Sequence, residues 1–150
     1  MRPVVIIANT PTANTYALRE AVARGARRSA VPIEVLSPLE ACSVHIMRSA
    51  AVILGTTENF GYMSGAIKDF FERIYYPCLE QTQGLPVTLY VRAGSDGTGT
   101  VQSVTRILTG LRWKLVQEPL VFKGAWQDRF LSNAEELGEA VALGVEMGVF

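Results

Sequence analysis

The chain is poor in the residues on which metal centres and nucleophilic catalysis depend. Its two cysteines, Cys42 and Cys78, are isolated and form no CxxC pattern, and His45 is the only histidine. Zinc sites and histidine-assisted nucleophiles need such residues in clusters. The sequence therefore predicts no metal centre and no catalytic side chain of this kind, and we interpret the two thiols as buried or incidental.

Charge of one sign and long hydrophobic runs are also missing. The 14 basic and 14 acidic residues balance, so nothing indicates a nucleic-acid or membrane partner. No apolar run approaches the roughly 18 residues of a membrane-spanning helix. Met1-Arg2-Pro3 leads directly into a short strand without a secretory signal pattern. We expect one cytoplasmic domain over residues 1–150.

The glycine-rich motifs of common nucleotide sites are absent, and a different polar loop stands in their place. The chain has neither a P-loop nor G-x-G-x-x-G. Instead, three threonines and Asn14 fill the segment Thr10–Thr15, between the apolar run Val4–Ala8 and a helical pattern. Their hydroxyl and amide groups, with the first N–H groups of the helix, favour an anion. Since the loop lacks lysine and arginine, we interpret it as a site for one phosphomonoester. An ordinary N-cap loop is the alternative.

Short apolar runs alternate with helical patterns along the chain. Predicted strands are Val4–Ala8, Ile33–Leu36, Ala51–Leu54, Val87–Val91 and Leu115–Phe122, the last interrupted by Pro119. Predicted helices begin near Asn14, at Ser37, near Met63, near Thr100 and at a capping box, Ser132–Glu135. This rhythm fits an α/β sandwich of three layers, with a five-stranded parallel sheet of order 2-1-3-4-5 between two layers of helices.

In that strand order, three loops meet at the carboxyl edge of the sheet. They are Asn9–Thr15, Gly55–Ser64 and Ala93–Gly99. The second is predicted to run about ten residues before its helix, and its Phe60-Gly61-Tyr62 segment suits a flat aromatic ligand. The third is rich in glycine and can turn its amides toward one point. The alternatives are that Phe60 and Tyr62 anchor the loop to its own domain, and that the third loop is an ordinary flexible one.

Two of these loops resemble those of the flavodoxin-like superfamily. Thr10–Thr15 is similar to its T-x-T-G-x-T phosphate loop, with Ala13 at the glycine position. Gly55–Ser64 resembles the G-T-P-T-x-F-G-x-M-S segment of the quinone reductases of the tryptophan-repressor-binding-protein type, with Thr57 at the proline position. Four residues also fit the P-E-Y-N-G-x-x-P-G-x-L-K segment of NAD(P)H-dependent FMN reductases: Glu58, Gly61, Gly65 and Lys68. The resemblance covers nearly the whole chain and implies a flavodoxin-like sandwich.

The resemblance also implies that FMN is bound without a covalent link. The implied phosphate contacts are Thr10, Thr12, Ala13, Asn14 and Thr15. The implied isoalloxazine contacts are Thr57, Glu58, Asn59, Phe60, Gly61 and Tyr62 on one side, and Gly94, Ser95 and Gly97 on the other.

By the same resemblance, the chemistry takes place at the flavin N5, so that no catalytic side chain is expected. The implied activity is an oxidoreductase that takes hydride from NADPH or NADH and reduces a quinone, a flavin or a similar small acceptor, as a homodimer or homotetramer. Two alternatives stay open. One is an electron-transfer flavodoxin without turnover of its own. The other is a flavodoxin-fold binding protein that has lost FMN, which Ala13 and Thr57 suggest.

Overall fold

The computed structural model describes all residues of the chain, 1–150. Its strands are β1 (Val4–Ala8), β2 (Ile33–Leu36), β3 (Ala51–Asn59), β4 (Tyr62–Met63), β5 (Pro86–Ala93), β6 (Lys114–Leu115) and β7 (Leu120–Lys123). Its helices are α1 (Ala13–Ala26), α2 (Ser43–Met47), α3 (Gly65–Cys78), α4 (Thr98–Leu111) and α5 (Arg129–Met147). None of the five helices has both the length and the apolar character needed to cross a membrane.

The sheet is parallel in the order β2-β1-β3-β5, and β6 and β7 both pair with the free edge of β5. The predicted order is therefore confirmed, with the fifth strand broken into two pieces around Pro119, a residue that cannot donate to a ladder. Only β4 is antiparallel, and it pairs with the end of β3.

The sheet is buried on both faces, which explains the apolar runs in its central strands. Along β1, Val4, Ile6 and Ala8 pack with α1 and α5, while Val5 and Ile7 pack with α2, α3 and α4. Every residue of β1 is fully buried. The two hydrophobic cores on opposite faces leave the carboxyl edge of the sheet as the place where loops gather.

The strand β3 is longer than the sequence predicts, and the expected long loop after Gly55 is wrong. Gly55 lies inside the sheet, paired with Ala8 and Tyr90. The Tyr90 ring occupies the space that a Cβ on Gly55 would need, so this glycine permits close packing and does not end the strand. Beyond it, β3 and β4 form a hairpin in which Glu58 pairs with Met63.

Two predicted helix starts are also corrected. At Ser37, the chain makes an isolated turn, in which Ser37 N–H donates to Glu40 Oε1 (2.9 Å) and Glu40 N–H donates to Ser37 Oγ (3.3 Å). The helix α2 begins only at Ser43. The last helix begins before the predicted capping box, at Arg129, and Ser132 Oγ donates to the Arg129 carbonyl (3.0 Å) within the helix.

Helices α1 and α5 cross backbone to backbone. A Cβ added to Gly138 would lie within 3.0 Å of the Val22 carbonyl oxygen, and one added to Gly25 would lie equally close to the Glu135 carbonyl. Glycine at both positions is therefore what permits this crossing. Outside it, Arg28 Nη1 donates to Glu139 Oε2 at 2.7 Å.

Candidate functional site

The three predicted loops lie together at the carboxyl edge of β1, β3 and β5. The first is tied to the second because Asn9 N–H donates to the Gly55 carbonyl (2.9 Å) and Asn9 Nδ2 donates to Thr57 Oγ1 (3.2 Å). The second touches the third where Gly61 packs against Gly99. The three loops are therefore neighbours, and we refer to the space between them as the crevice.

The polar loop before α1 is organised by two threonines. Thr12 is the N-cap, and its Oγ1 accepts from Thr15 N–H (3.1 Å) while Thr15 Oγ1 accepts from Thr12 N–H (2.9 Å). Thr15 is buried, and its hydroxyl donates to the Thr12 carbonyl (3.0 Å). The contacts expected of an ordinary N-cap loop, the alternative interpretation of this segment, are therefore present. The two hydroxyl oxygens lie 2.9 Å apart. Since the Thr15 proton is engaged with the carbonyl, the exposed Thr12 hydroxyl can donate either to Thr15 Oγ1 or outward to a ligand.

The first turn of α1 contains no acidic residue. Helical geometry also leaves the N–H groups of Ala13 and Asn14 without acceptors inside the helix. Asn14 is exposed and Thr10 is partly exposed beside them. Donors on a helix N-terminus, with a dipole that favours negative charge, form an anion-binding arrangement.

The tip of the β3–β4 hairpin presents an aromatic ring to solvent. Phe60 and Gly61 both have positive φ, 55° and 70°, as a two-residue hairpin turn of type I′ requires. A left-handed conformation costs a residue other than glycine roughly 1–2 kcal/mol. The Phe60 side chain is nonetheless fully exposed, and Tyr62 beside it is 41% exposed. Phe60 therefore does not anchor the hairpin to its own domain.

Not every residue of this segment faces the open crevice. Glu58 Oε2 accepts a hydrogen bond from Thr100 Oγ1 (3.3 Å), in the first turn of α4, where Thr100 is fully buried. Thr57 holds Asn9, as described above. Asn59 is exposed at the base of the turn, opposite Tyr62.

The third loop bends at Gly97, whose φ of 74° places it in the left-handed region as the N-cap of α4. Gly94 and Ser95 are exposed on the crevice side of this bend. Asp96 Oδ1 accepts from Thr98 N–H (3.0 Å), and this hydrogen bond holds the pKa of Asp96 below its ordinary value. Asp96 is therefore anionic and committed to the start of α4.

Arg92 is a residue of this edge that the sequence interpretation missed. Its guanidinium lies 5.8 Å from the Trp126 ring centroid and 5.5 Å from that of Phe130. Arg92 Nη1 donates to the carbonyls of Ala93 and Phe122, both at 3.0 Å. The side chain thereby fixes the point where the third loop leaves the sheet. An arginine at the end of an otherwise apolar strand is the signal that could have drawn attention to it.

The thiols lie outside this site. Cys78 is fully buried, and burial raises the pKa of its thiol to about 11, which suppresses its reactivity. Cys42 is partly buried at the start of α2, where its N–H donates to His45 Nδ1 at 3.0 Å. The interpretation of Cys78 as a buried thiol is confirmed, and Cys42 and His45 serve to cap a short helix.

Comparison with known proteins identifies the fold. No protein-family model and no curated protein sequence matches the chain. Solved structures do match over nearly the whole length. A flavodoxin from the Archaea has a TM-score of 0.79 at 18% identity, covering 97% of this chain and 99% of that one. A WrbA-like flavodoxin from Agrobacterium tumefaciens has a TM-score of 0.77 at 16% identity, covering 98% and 99%.

A third match is the two-electron reduced flavodoxin of Megasphaera elsdenii, with a TM-score of 0.79 at 15% identity, covering 93% of this chain and 98% of that one. At identities this low, the likeness concerns the fold alone. The chain has the flavodoxin-like fold.

Proposed function

We propose that the chain binds FMN at this carboxyl edge and acts as an NAD(P)H-dependent oxidoreductase that reduces a quinone, a flavin or a similar small acceptor. The observation that carries the proposal is Phe60, an exposed aromatic ring held in a left-handed turn. It stands at the same edge as the N-terminus of α1, whose first turn holds no acidic residue. A ligand with a flat ring and a phosphate would pack on the first feature and bind at the second.

The residues present fit the phosphate end of FMN. Thr10, Thr12 and Asn14 offer side-chain donors, and the first turn of α1 adds the N–H groups of Ala13 and Asn14. Thr15 would support the phosphate site without donating to the phosphate, because its hydrogen bonds with Thr12 fix the conformation of the loop. A phosphomonoester held in this way needs no lysine or arginine, since hydrogen bonds to a charged group are strong.

The residues also fit the ring end. Phe60 can pack on one face of the isoalloxazine, Tyr62 can extend that surface, and the exposed backbone at Gly94 and Ser95 can approach its edge. When bound, FMN would supply the hydride and electron chemistry. The protein residues bind and orient it. Because the crevice is open to solvent beside Phe60, the proposal includes a homodimer or homotetramer in which a second copy completes the nicotinamide and acceptor site.

Titration with FMN, followed by absorption spectroscopy, tests the first half of the proposal. The expected result is a stoichiometric complex with a shifted flavin spectrum. A protein that stays colourless after gel filtration would instead be a binding protein that has lost the cofactor, and the proposal would be wrong.

Stopped-flow reduction of the FMN complex tests the second half. An oxidoreductase is reduced rapidly by NADPH or NADH and reoxidised by a quinone. An electron-transfer flavodoxin, as the names of the archaeal and Megasphaera elsdenii structures suggest, is reduced slowly by either nucleotide and rapidly by a reductase protein. That second pattern would replace the enzymatic assignment while leaving FMN binding in place.

Phe60→Ala should weaken FMN binding without lowering the stability of the flavin-free protein. Loss of a stacked ring removes about 0.5–1.5 kcal/mol of aromatic contact, which raises Kd roughly two- to twelve-fold. Loss of the apolar area that the ring buries against the flavin weakens binding further. Tyr76→Ala is the matched control, because Tyr76 is an exposed aromatic (81%) on α3. Fluorescence titration gives Kd, and thermal melting gives Tm. If the Phe60 variant instead melts several degrees lower and binds FMN unchanged, the hairpin is not the ring site.

A further inference from the structure

The first turn of α4 touches the β3–β4 hairpin at two places. A Cβ added to Gly99 would lie within 3.0 Å of the Gly61 carbonyl oxygen, so the helix and the hairpin tip are in contact through backbone atoms alone. One residue further along, Thr100 Oγ1 donates to Glu58 Oε2 (3.3 Å) at the base of the same hairpin. Thr100 is fully buried, and Gly99 is partly buried beside it.

We propose that Gly99 and Thr100 are positioning residues that set where the Phe60–Gly61 turn stands over the crevice. For its ligand, this inference rests on the proposed FMN site. It divides that site into two parts. The ring-binding part depends on α4, whereas the phosphate-binding part depends on α1 and on β1, which is paired with β2 and β3 inside the sheet.

Of the two elements in contact, the start of α4 is held in place and the hairpin is the one that can move. The start of α4 is held by the bend at Gly97 and by Thr100 inside the core. The strand β4 has only two residues and two pairing partners. A side chain at Gly99 would meet backbone, which cannot rotate away, so the hairpin would move and carry the Phe60 ring with it.

Gly99→Ala tests the proposal, with Gly65→Ala as its matched control. Gly65 follows the same hairpin at the start of α3, has no positive φ, and has open space where a Cβ would be added. Displacing a binding group by a fraction of an ångström to 1 Å should weaken flavin affinity by roughly tenfold or more. Gly99→Ala should weaken FMN and riboflavin by the same factor, with an altered flavin spectrum, because the phosphate contacts are untouched. Gly65→Ala should change neither affinity.

Hydrogen exchange of the flavin-free protein supplies a readout that does not need the ligand. In Gly99→Ala, and more weakly in Thr100→Val, amides of the segment 58–63 should exchange faster, while the amides of α1 should exchange as in the unaltered protein. In Gly65→Ala, the amides of both regions should exchange as in the unaltered protein. Unaltered exchange in the hairpin of Gly99→Ala, or a selective loss of FMN relative to riboflavin, would overturn the inference. If the unaltered protein bound no FMN but the exchange result held, the proposed function would fail and the positioning role would stand.

Discussion

Riboflavin should bind this protein far more weakly than FMN, and Thr12→Val should remove a large part of that difference. Thr12 Oγ1 already accepts from Thr15 N–H, and its proton can turn from Thr15 Oγ1, 2.9 Å away, to a phosphate. Loss of one hydrogen bond to a charged group costs about 1.5–3 kcal/mol, or roughly ten- to a hundred-fold in the Kd for FMN. The Kd for riboflavin, measured by the same fluorescence titration, should not change.

Thr12→Ser is the control, since it keeps both the donor and the cap. Thr12→Val should also lower the stability of the flavin-free protein by about 1 kcal/mol, because Thr12 is the N-cap of α1. The stability loss and the affinity loss are separable, because only the second depends on the ligand phosphate. Equal affinities of the unaltered protein for FMN and riboflavin would contradict the phosphate assignment.

Gly138→Ala should strongly destabilise the α1–α5 layer. The new Cβ would fall against the Val22 carbonyl and would force the two helices apart. Overpacking of a core costs about 1–3 kcal/mol, and the upper end is expected because the opposing atoms are backbone. For a chain of this size, about 3 kcal/mol corresponds to a fall in Tm of roughly 6–12 °C.

Gly65→Ala provides the comparison for that measurement. Gly65 is also helical, at the start of α3, but has nothing within 4 Å of an added Cβ. It should melt at or slightly above the temperature of the unaltered protein, since alanine is the better helix former. If Gly138→Ala had the same Tm as Gly65→Ala, helices α1 and α5 would not be in backbone contact at their crossing.

The features of the fold that the sequence predicts correctly are those recorded in long apolar patterns. The run Val4–Ala8 has no polar alternation, which only a strand covered on both faces can sustain. Gly55 is a residue whose role the local sequence pattern does not predict. A glycine after an apolar run reads as a strand end, but here it accommodates the ring of Tyr90 from the neighbouring strand. That requirement comes from a residue 35 positions later and is invisible in the local sequence.

The candidate site could also be predicted only in part from the sequence. Topology places the ends of parallel strands at one edge, so the meeting of the three loops can be predicted from strand order. The turn at Phe60-Gly61 could not, because a non-glycine residue at positive φ carries no local signal. The packing of Gly99 against Gly61, and the stacking of Arg92 on Trp126, depend on how separate elements meet in three dimensions.

The close crossing of α1 and α5 has a consequence for biosynthesis. More than a hundred residues separate Ala26, at the end of α1, from Arg129, at the start of α5. At about 5–20 residues per second on the ribosome, the apolar face of α1 waits roughly 5–20 s for its partner. During that interval, the apolar residues of α1 and β1 in this core lack their contacts with α5. Closure of the core that α1 and α5 share is therefore among the last events of folding, because α5 is the last of the five helices to be synthesised.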